Sequence, residues 1–181
     1  MTASFPTTVK SFTAVTDGVD YPEAVDINSL QEEVAAVETF LYTTPSAKVT
    51  HSTTQSIADA TFQALTFDTE TFDTDTIHST GTNPTRLTCK TAGKYIVTGC
   101  IAFASNATGF RIAALKVNAG ANFDNAQRTT ALNGTETHLT VSDIFNFAVN
   151  DYVELFAFQN SGGALNVVNT PTSFSMARIG K

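Results

Sequence analysis

Apolar residues recur along this chain in two rhythms, and the change between them falls near residue 50. Before it, residues 26–41 (DINSLQEEVAAVETFL) place Ile27, Leu30, Val34, Val37 and Leu41 at successive spacings of 3, 4, 3 and 4. That is a heptad seam, in which apolar residues recur about every 3.5 residues and meet matching seams on other chains. Beyond it, apolar and polar positions alternate in short runs, the rhythm of strands. The pattern predicts a helix over 26–42, a linker over 43–54, and strands near 61–68, 85–90, 94–103, 110–117, 138–147, 152–158, 164–168 and 172–179.

The helix carries its own punctuation. Asp26 and Ser29 are both able to cap free amide groups, and Ser29 with Glu32 fits a capping box. Pro45 closes the element from beyond its end. A helix this short is marginal alone, because isolated helices below about 12–15 residues rarely persist. The seam therefore leans on other copies of the chain or on its own β-domain. Residues 1–25 hold Pro6, Pro22 and the turn pair Asp17-Gly18, with Phe5, Phe12, Val15 and Tyr21 spread between them. No period persists there, so the segment reads as an extended arm that docks on another protein or packs against the helix.

Several predicted strands are apolar on both faces. In Lys94–Phe103, Tyr95, Val97, Ile101 and Phe103 share one face and Ile96, Cys100 and Ala102 the other. Tyr152–Phe158 behaves likewise. Such strands are covered on both sides, which in a sandwich means that one sheet's outer face meets another subunit. The turns between them are written in Gly, Asn, Asp and Pro: Gly81-Thr82-Asn83-Pro84, Asn118-Ala119-Gly120, Asn133-Gly134, Asn150-Asp151 and Ser161-Gly162-Gly163. Eight or more short strands at this spacing make residues 55–181 an all-β sandwich, with a jelly roll as the natural candidate.

Composition narrows the function. The 181 residues carry a formal charge of −7 with only 15% charged residues, against a usual share of about a quarter. Thr, Ser and Asn fill the surface instead. Nucleic-acid binding needs Lys and Arg to displace counterions, so the acidic balance argues against it. No stretch approaches the roughly 20 apolar residues needed to span a bilayer. The N-terminus has no basic segment leading into an apolar run, so no signal peptide is expected and synthesis in a host cytoplasm is. Two cysteines, Cys89 and Cys100, are too few for a disulfide scaffold. A hairpin turn over Lys90–Lys94 sets Cys89 opposite Tyr95 and far from Cys100, and both read as free thiols.

Candidate chemistry is sparse. There is no Gly-x-Ser-x-Gly elbow, P-loop or His-Glu-x-x-His, and no cofactor is expected. His51, His78 and His138 are far apart and read as loop or strand-surface residues, with contact between symmetry copies as the sharper alternative. Asp68, Glu70, Asp73 and Asp75 gather four carboxylates in eight residues. A hard cation takes six to eight oxygens, so this loop is a weak metal candidate, though it lacks the glycine and spacing of an EF-hand. A solvated acidic loop is the plainer reading. Asn106-Ala-Thr and Asn133-Gly-Thr fit the glycosylation triplet but read as bare turns.

Three segments in order resemble the jelly rolls of C1q and tumour-necrosis-factor proteins. Thr85–Phe103 (TRLTCKTAGKYIVTGCIAF) resembles the short strand, turn and Gly-x-Tyr that lead into that family's long core strand. Phe147–Leu155 (FAVNDYVEL) resembles its Gly-Asp-x-Val-x-Leu segment, with Asn150 in place of the usual glycine. Ser173–Ile179 (SFSMARI) resembles the closing strand. The resemblance covers about residues 55–180. It implies a homotrimer of ten-stranded jelly rolls, with first and last strands adjacent and antiparallel.

A second resemblance lies at the other end. Thr16–Leu41 (TDGVDYPEAVDINSLQEEVAAVETFL) is similar to the N-terminal part of many tailed-bacteriophage virion proteins, a likeness covering roughly residues 5–41. Together the two imply a trimeric virion surface protein, a capsid decoration or short fibre. Its partners would be itself and a major capsid or tail protein. The Ile27–Leu41 seam would hold three copies together, and Phe5, Phe12, Val15 and Tyr21 would dock. The alternatives are a tail-associated tip that binds a host-surface glycan or protein, and a soluble binding module or ligand. None of these roles is enzymatic.

Overall fold

The structure, a computed structural model, describes residues 24–42 and 44–181. Two compact units divide the chain between Thr44 and Pro45. The first contributes one helix, α1 (Ala24–Tyr42). It begins ahead of the expected caps, so Ser29 lies inside it rather than at its start. Among the seam residues, Leu30, Val34 and Val37 are 53%, 50% and 43% exposed. The side chains of Ile27 and Leu41 lie outside the described residues, as does the whole of the arm carrying Phe5, Phe12, Val15 and Tyr21.

The second unit is an antiparallel sandwich of β1 (Ser46–Thr50), β2 (Gln55–Ile57), β3 (Gln63–Ala64), β4 (Thr69–Asp73), β5 (Arg86–Thr88), β6 (Gly93–Phe103), β7 (Phe110–Val117), β8 (Asn125–Thr130), β9 (Thr137–Phe147), β10 (Tyr152–Gln159), β11 (Leu165–Val167) and β12 (Ser173–Gly180). The first sheet runs β2-β11-β6-β12-β1-β4, with β9 on the far side of β6. The second runs β3-β10-β7-β8, with β5 also on β10. The first and last strands, β1 and β12, pair antiparallel from Ser46↔Ala177 to Thr50↔Ser173.

Alternation decides which face is inside. Tyr95, Val97, Ile101 and Phe103 of β6 point inward with Val49, Leu139, Val141, Phe174 and Met176 from the same sheet. Leu87, Ala113, Leu115, Val153, Leu155 and Ala157 meet them from the second sheet. Phe67 and Phe174 stack at 5.7 Å. Gly99 sits inward on β6 directly against Leu155, where a Cβ would collide with the leucine's methyl groups. The close approach of the sheets at that point favours glycine, because any Cβ would have to displace the end of the Leu155 side chain.

The strand pattern differs from expectation in several places, and the strand expected over 61–68 shrinks to the two residues of β3. Residues 46–50, inside the expected linker, form β1 in the body of the first sheet, because Ala47 and Val49 are fully buried there. The acidic segment forms β4, an exposed edge strand, and Asn125–Thr130 forms β8, another. Neither has a buried face to write an apolar alternation. With the short β2 these bring the strands among the described residues to twelve, against the ten that the resemblance implies. Last, β5 and β6 are not a hairpin. β5 pairs with β10 in the second sheet, so the turn at 89–92 crosses between sheets. Cys89 and Tyr95 still meet, since Cys89 Sγ (3.2 Å) and Tyr95 Oη (2.6 Å) both donate to the Thr91 carbonyl. Burial pushes both the Cys89 thiol and the Tyr95 phenol to ionise at higher pH than usual. Both cysteines are free.

Candidate interaction surfaces

The outer face of the first sheet is built from the residues that alternate with the core. Register brings Ile144 of β9, Ile96 of β6 and Ala177 of β12 into one row across three strands. The next row is Ser142, Thr98 and Ser175, and the next Thr140, Cys100 and Ser173. Across β9, β6 and β12 no charged residue interrupts these three rows, and Lys48 of β1 continues the Ser175 row beyond them. Ile144 and Ile96 remain 58% and 41% exposed, an aliphatic pair in a chain otherwise rich in hydroxyls, and Ile179, 55% exposed, stands in the bulge near the end of β12.

The hydroxyls of the middle row are already engaged. Ser142 Oγ lies 3.0 Å from Thr98 Oγ1 and donates to the Val97 carbonyl at 3.0 Å. Ser175 Oγ donates to the Thr98 carbonyl at 3.4 Å. Covering a polar group costs little when its hydrogen bonds are made. This face can therefore be buried against a partner cheaply, and its apolar rows gain from it.

The second sheet presents a different outer surface. Phe156 and Phe158 of β10, Phe110 of β7, and Phe62 and Phe123 from the adjoining loops form a run of contacting rings with centroids 4.4–5.5 Å apart. Arg128 lies 3.7 Å over the Phe110 ring, and Lys116 lies 5.6 Å over Phe123. At one end of this sheet Arg111 is fully buried. Its guanidinium donates to the carbonyls of Asn106, Thr108 and Phe110 at 3.0–3.1 Å, and burial depresses its ionisation. It ties down the 106–110 loop, where Gly109 takes φ of 75° against the backbone of Asn160.

The acidic segment does not converge. Asp68 accepts from Ser52 N (2.8 Å), Ser52 Oγ (2.6 Å) and Thr69 Oγ1 (2.9 Å), and the Ser52 hydroxyl bond above all holds its carboxyl below the usual range. Glu70 pairs with His78 Nδ1 at 3.0 Å. Asp73 accepts from the amides of Asp75, Ile77 and His78 at 2.8–3.0 Å, and so folds the 73–78 turn. Asp75 is part-buried beneath that turn, and its Oδ2 makes no hydrogen bond. Among the described residues no group of three or more His, Cys, Asp or Glu side chains is placed to hold a metal ion.

Two of the three histidines are not surface residues. His51 is buried with Nε2 3.2 Å from the Val168 carbonyl, and His78 is buried between Glu70 and the Pro84 carbonyl. Only His138 is exposed, beside Glu136 at 3.0 Å. Among the described residues no histidine hydrogen-bonds to a serine, threonine or cysteine side chain, the pairing a nucleophile needs. Asn106 and Asn133 both lie in loops, and Asn106 Oδ1 accepts from the Thr108 amide at 2.8 Å. No helix among the described residues is long and apolar enough to cross a membrane.

No protein-family model matches the sequence, and no curated protein is significantly similar to it. Solved structures do match the fold. The globular domain of zebrafish complement 1qA protein superposes with a TM-score of 0.55 at 14% identity, covering 75% of this chain and 97% of that one. Murine APRIL gives 0.56 at 6% identity over 75% and 99%. Eiger TNF from S. frugiperda gives 0.58 at 10% identity over 76% and 94%. Identities this low speak to architecture alone, and the architecture of the β-unit is the C1q/TNF-like jelly roll.

Proposed function

We propose that this chain is a structural and adhesive protein of a tailed-bacteriophage surface: a homotrimer anchored through its N-terminal segment, with the jelly roll projecting as a decoration or short fibre. The observation that carries the trimer is the outer face of the first sheet. Two exposed isoleucines, Ile144 and Ile96, stand there beside a row of hydroxyls that are already hydrogen-bonded, with no charge in the central rows of β9, β6 and β12. The exposed Leu30, Val34 and Val37 give α1 a second surface for the same association. The virion placement rests on the Thr16–Leu41 pattern. The work is holding and binding rather than catalysis. Docking on a major capsid or tail protein falls to Phe5, Phe12, Val15 and Tyr21. A tail-associated tip is the same architecture with a host glycan or protein bound at its far loops. A soluble binding module is the second reading, favoured by the likeness to C1q and TNF-type domains.

The test is incorporation into particles of the phage that encodes the chain. The full chain is expected to co-purify with virions, and a variant lacking residues 1–25 is expected to stay trimeric and be absent from them. Incorporation of the truncated trimer overturns the anchor. Absence of the full chain from virions overturns the virion placement in favour of the soluble module. Copy number then separates head from tail, many trimers meaning head and a few meaning tail.

A further inference from the structure

A cleft of about 360 Å³ opens at one end of the second sheet, between the start of β10, the strand β5 and the 76–84 loop. We infer that it is a binding site for an acidic saccharide, a sugar unit carrying a carboxylate. The size is at the lower end of the roughly 300–1,000 Å³ of small-ligand sites.

The charge in the cleft runs against the charge of the protein. The chain has 17 acidic residues against 10 Lys and Arg, yet the residues lining this cleft include Arg86 and Lys90 and no Asp or Glu. Lys90 has no ion-pair partner among the described residues. Arg86 is fixed from behind: its guanidinium stacks 3.9 Å from the Tyr152 ring centre, and Nε faces Glu154 at 3.5 Å. Glu154 is itself held by Thr85 Oγ1 at 2.6 Å. The Nη edge of Arg86 is left without a protein acceptor among the described residues, and that edge is the fork that matches a carboxylate.

The rest of the lining is hydroxyl and amide. Thr76, Ser79, Thr82 and Thr88 supply hydroxyls, and Asn83 and Asn150 supply amides. Such groups pair with the hydroxyls of a sugar ring. Tyr152 is already stacked with Arg86, so the cleft offers no free aromatic platform for a nucleobase.

The walls are preformed. Asp73 and Glu70 brace the 73–78 turn through His78 and the backbone amides, and Thr88 N donates to the Ile77 carbonyl at 2.7 Å, which lashes the turn to β5. Asn83 and Asn150 take φ of 54° and 75°, left-handed positions that asparagine tolerates. Asn150 stands where C1q-like sequences carry glycine. Glycine would make the same turn but could not place an amide in the cleft.

The assignment does not depend on the virion reading, because it concerns the β-unit alone. The experiment is titration of the full-length protein, followed by amide NMR or calorimetry, with 3′-sialyllactose, glucuronate, lactose and inorganic phosphate. The acidic sugars are expected to bind one site per chain at millimolar or tighter, at least about tenfold more tightly than lactose, and more weakly as salt rises. Lys90→Gln and Asn150→Gly, both on the surface, are expected to weaken binding about fivefold or more each while leaving the melting temperature in place. No saturable binding of either acidic sugar overturns the site. Equal binding of lactose overturns the role of the cations. Phosphate binding as tightly as the acidic sugars overturns the saccharide assignment. Shifts confined to residues away from the cleft overturn its location.

Discussion

Replacing Ile144 with glutamate puts the strongest pressure on the association face. Ile144 is 58% exposed in the single chain and lies opposite Ile96, itself 41% exposed, in the first of the uncharged rows, next to the row of Asn146 and Lys94. Fully burying an isoleucine contributes about 1.5–3 kcal/mol, so covering the exposed half contributes roughly 1–1.5 kcal/mol per protomer. Three copies lose about 3–5 kcal/mol per trimer from apolar area alone, and each carboxylate must also be desolvated with no cation in its row. The association constant of the trimer is expected to fall by at least about a thousandfold. Sedimentation velocity over a dilution series reads this directly, with circular dichroism confirming an unchanged fold. Leu132→Glu is the control, an equally exposed aliphatic residue (49%) in the β8–β9 turn, and it is expected to leave the trimer intact. A trimer of Ile144→Glu that survives dilution as well as the wild type refutes the use of this face. A monomeric wild type refutes trimerisation itself.

Gly109→Ala is expected to lose about 2–4 kcal/mol and roughly 5–15 °C in melting temperature, because its φ of 75° and the Asn160 backbone leave no room for a Cβ. Gly99→Ala should cost less, about 1–2 kcal/mol, since its obstacle is the mobile end of Leu155. Arg111→Met is expected to destabilise by about 3 kcal/mol in chemical denaturation, leaving the Asn106, Thr108 and Phe110 carbonyls without donors, and Arg111→Lys to recover only part. Because Cys89 and Tyr95 ionise at higher pH folded than unfolded, their contribution is complete below their ordinary values of 9.0 and 10.0 and is lost as pH rises above them. Denaturation midpoints should therefore fall above about pH 9, and Cys89→Ala should delay the onset.

The sequence by itself determined the sandwich, because a strand with one face in a core must alternate. The faces of β6 follow directly from Tyr95, Val97, Ile101 and Phe103 against Ile96, Cys100 and Ala102. The bounds of β7 and β10 are legible for the same reason. Edge strands β4 and β8 were not, since pairing on one side and solvent on the other asks nothing of their side chains. Nor was the crossing between β5 and β6, because a hairpin and a sheet-to-sheet link can be written with the same Thr-Ala-Gly turn.

Only the tertiary structure decided what the polar residues do. Asp73 and Glu70 read along the chain as parts of one solvated acidic loop, and folding spends them on the amides and histidine of a single turn. Arg86, Lys90 and Asn150 carry no common pattern in sequence, yet pairing of β5 with β10 brings them to one cleft. Hydrophobic burial is nearly additive along a strand and so leaves a period. A site of polar side chains is a coincidence of distant segments, and leaves none.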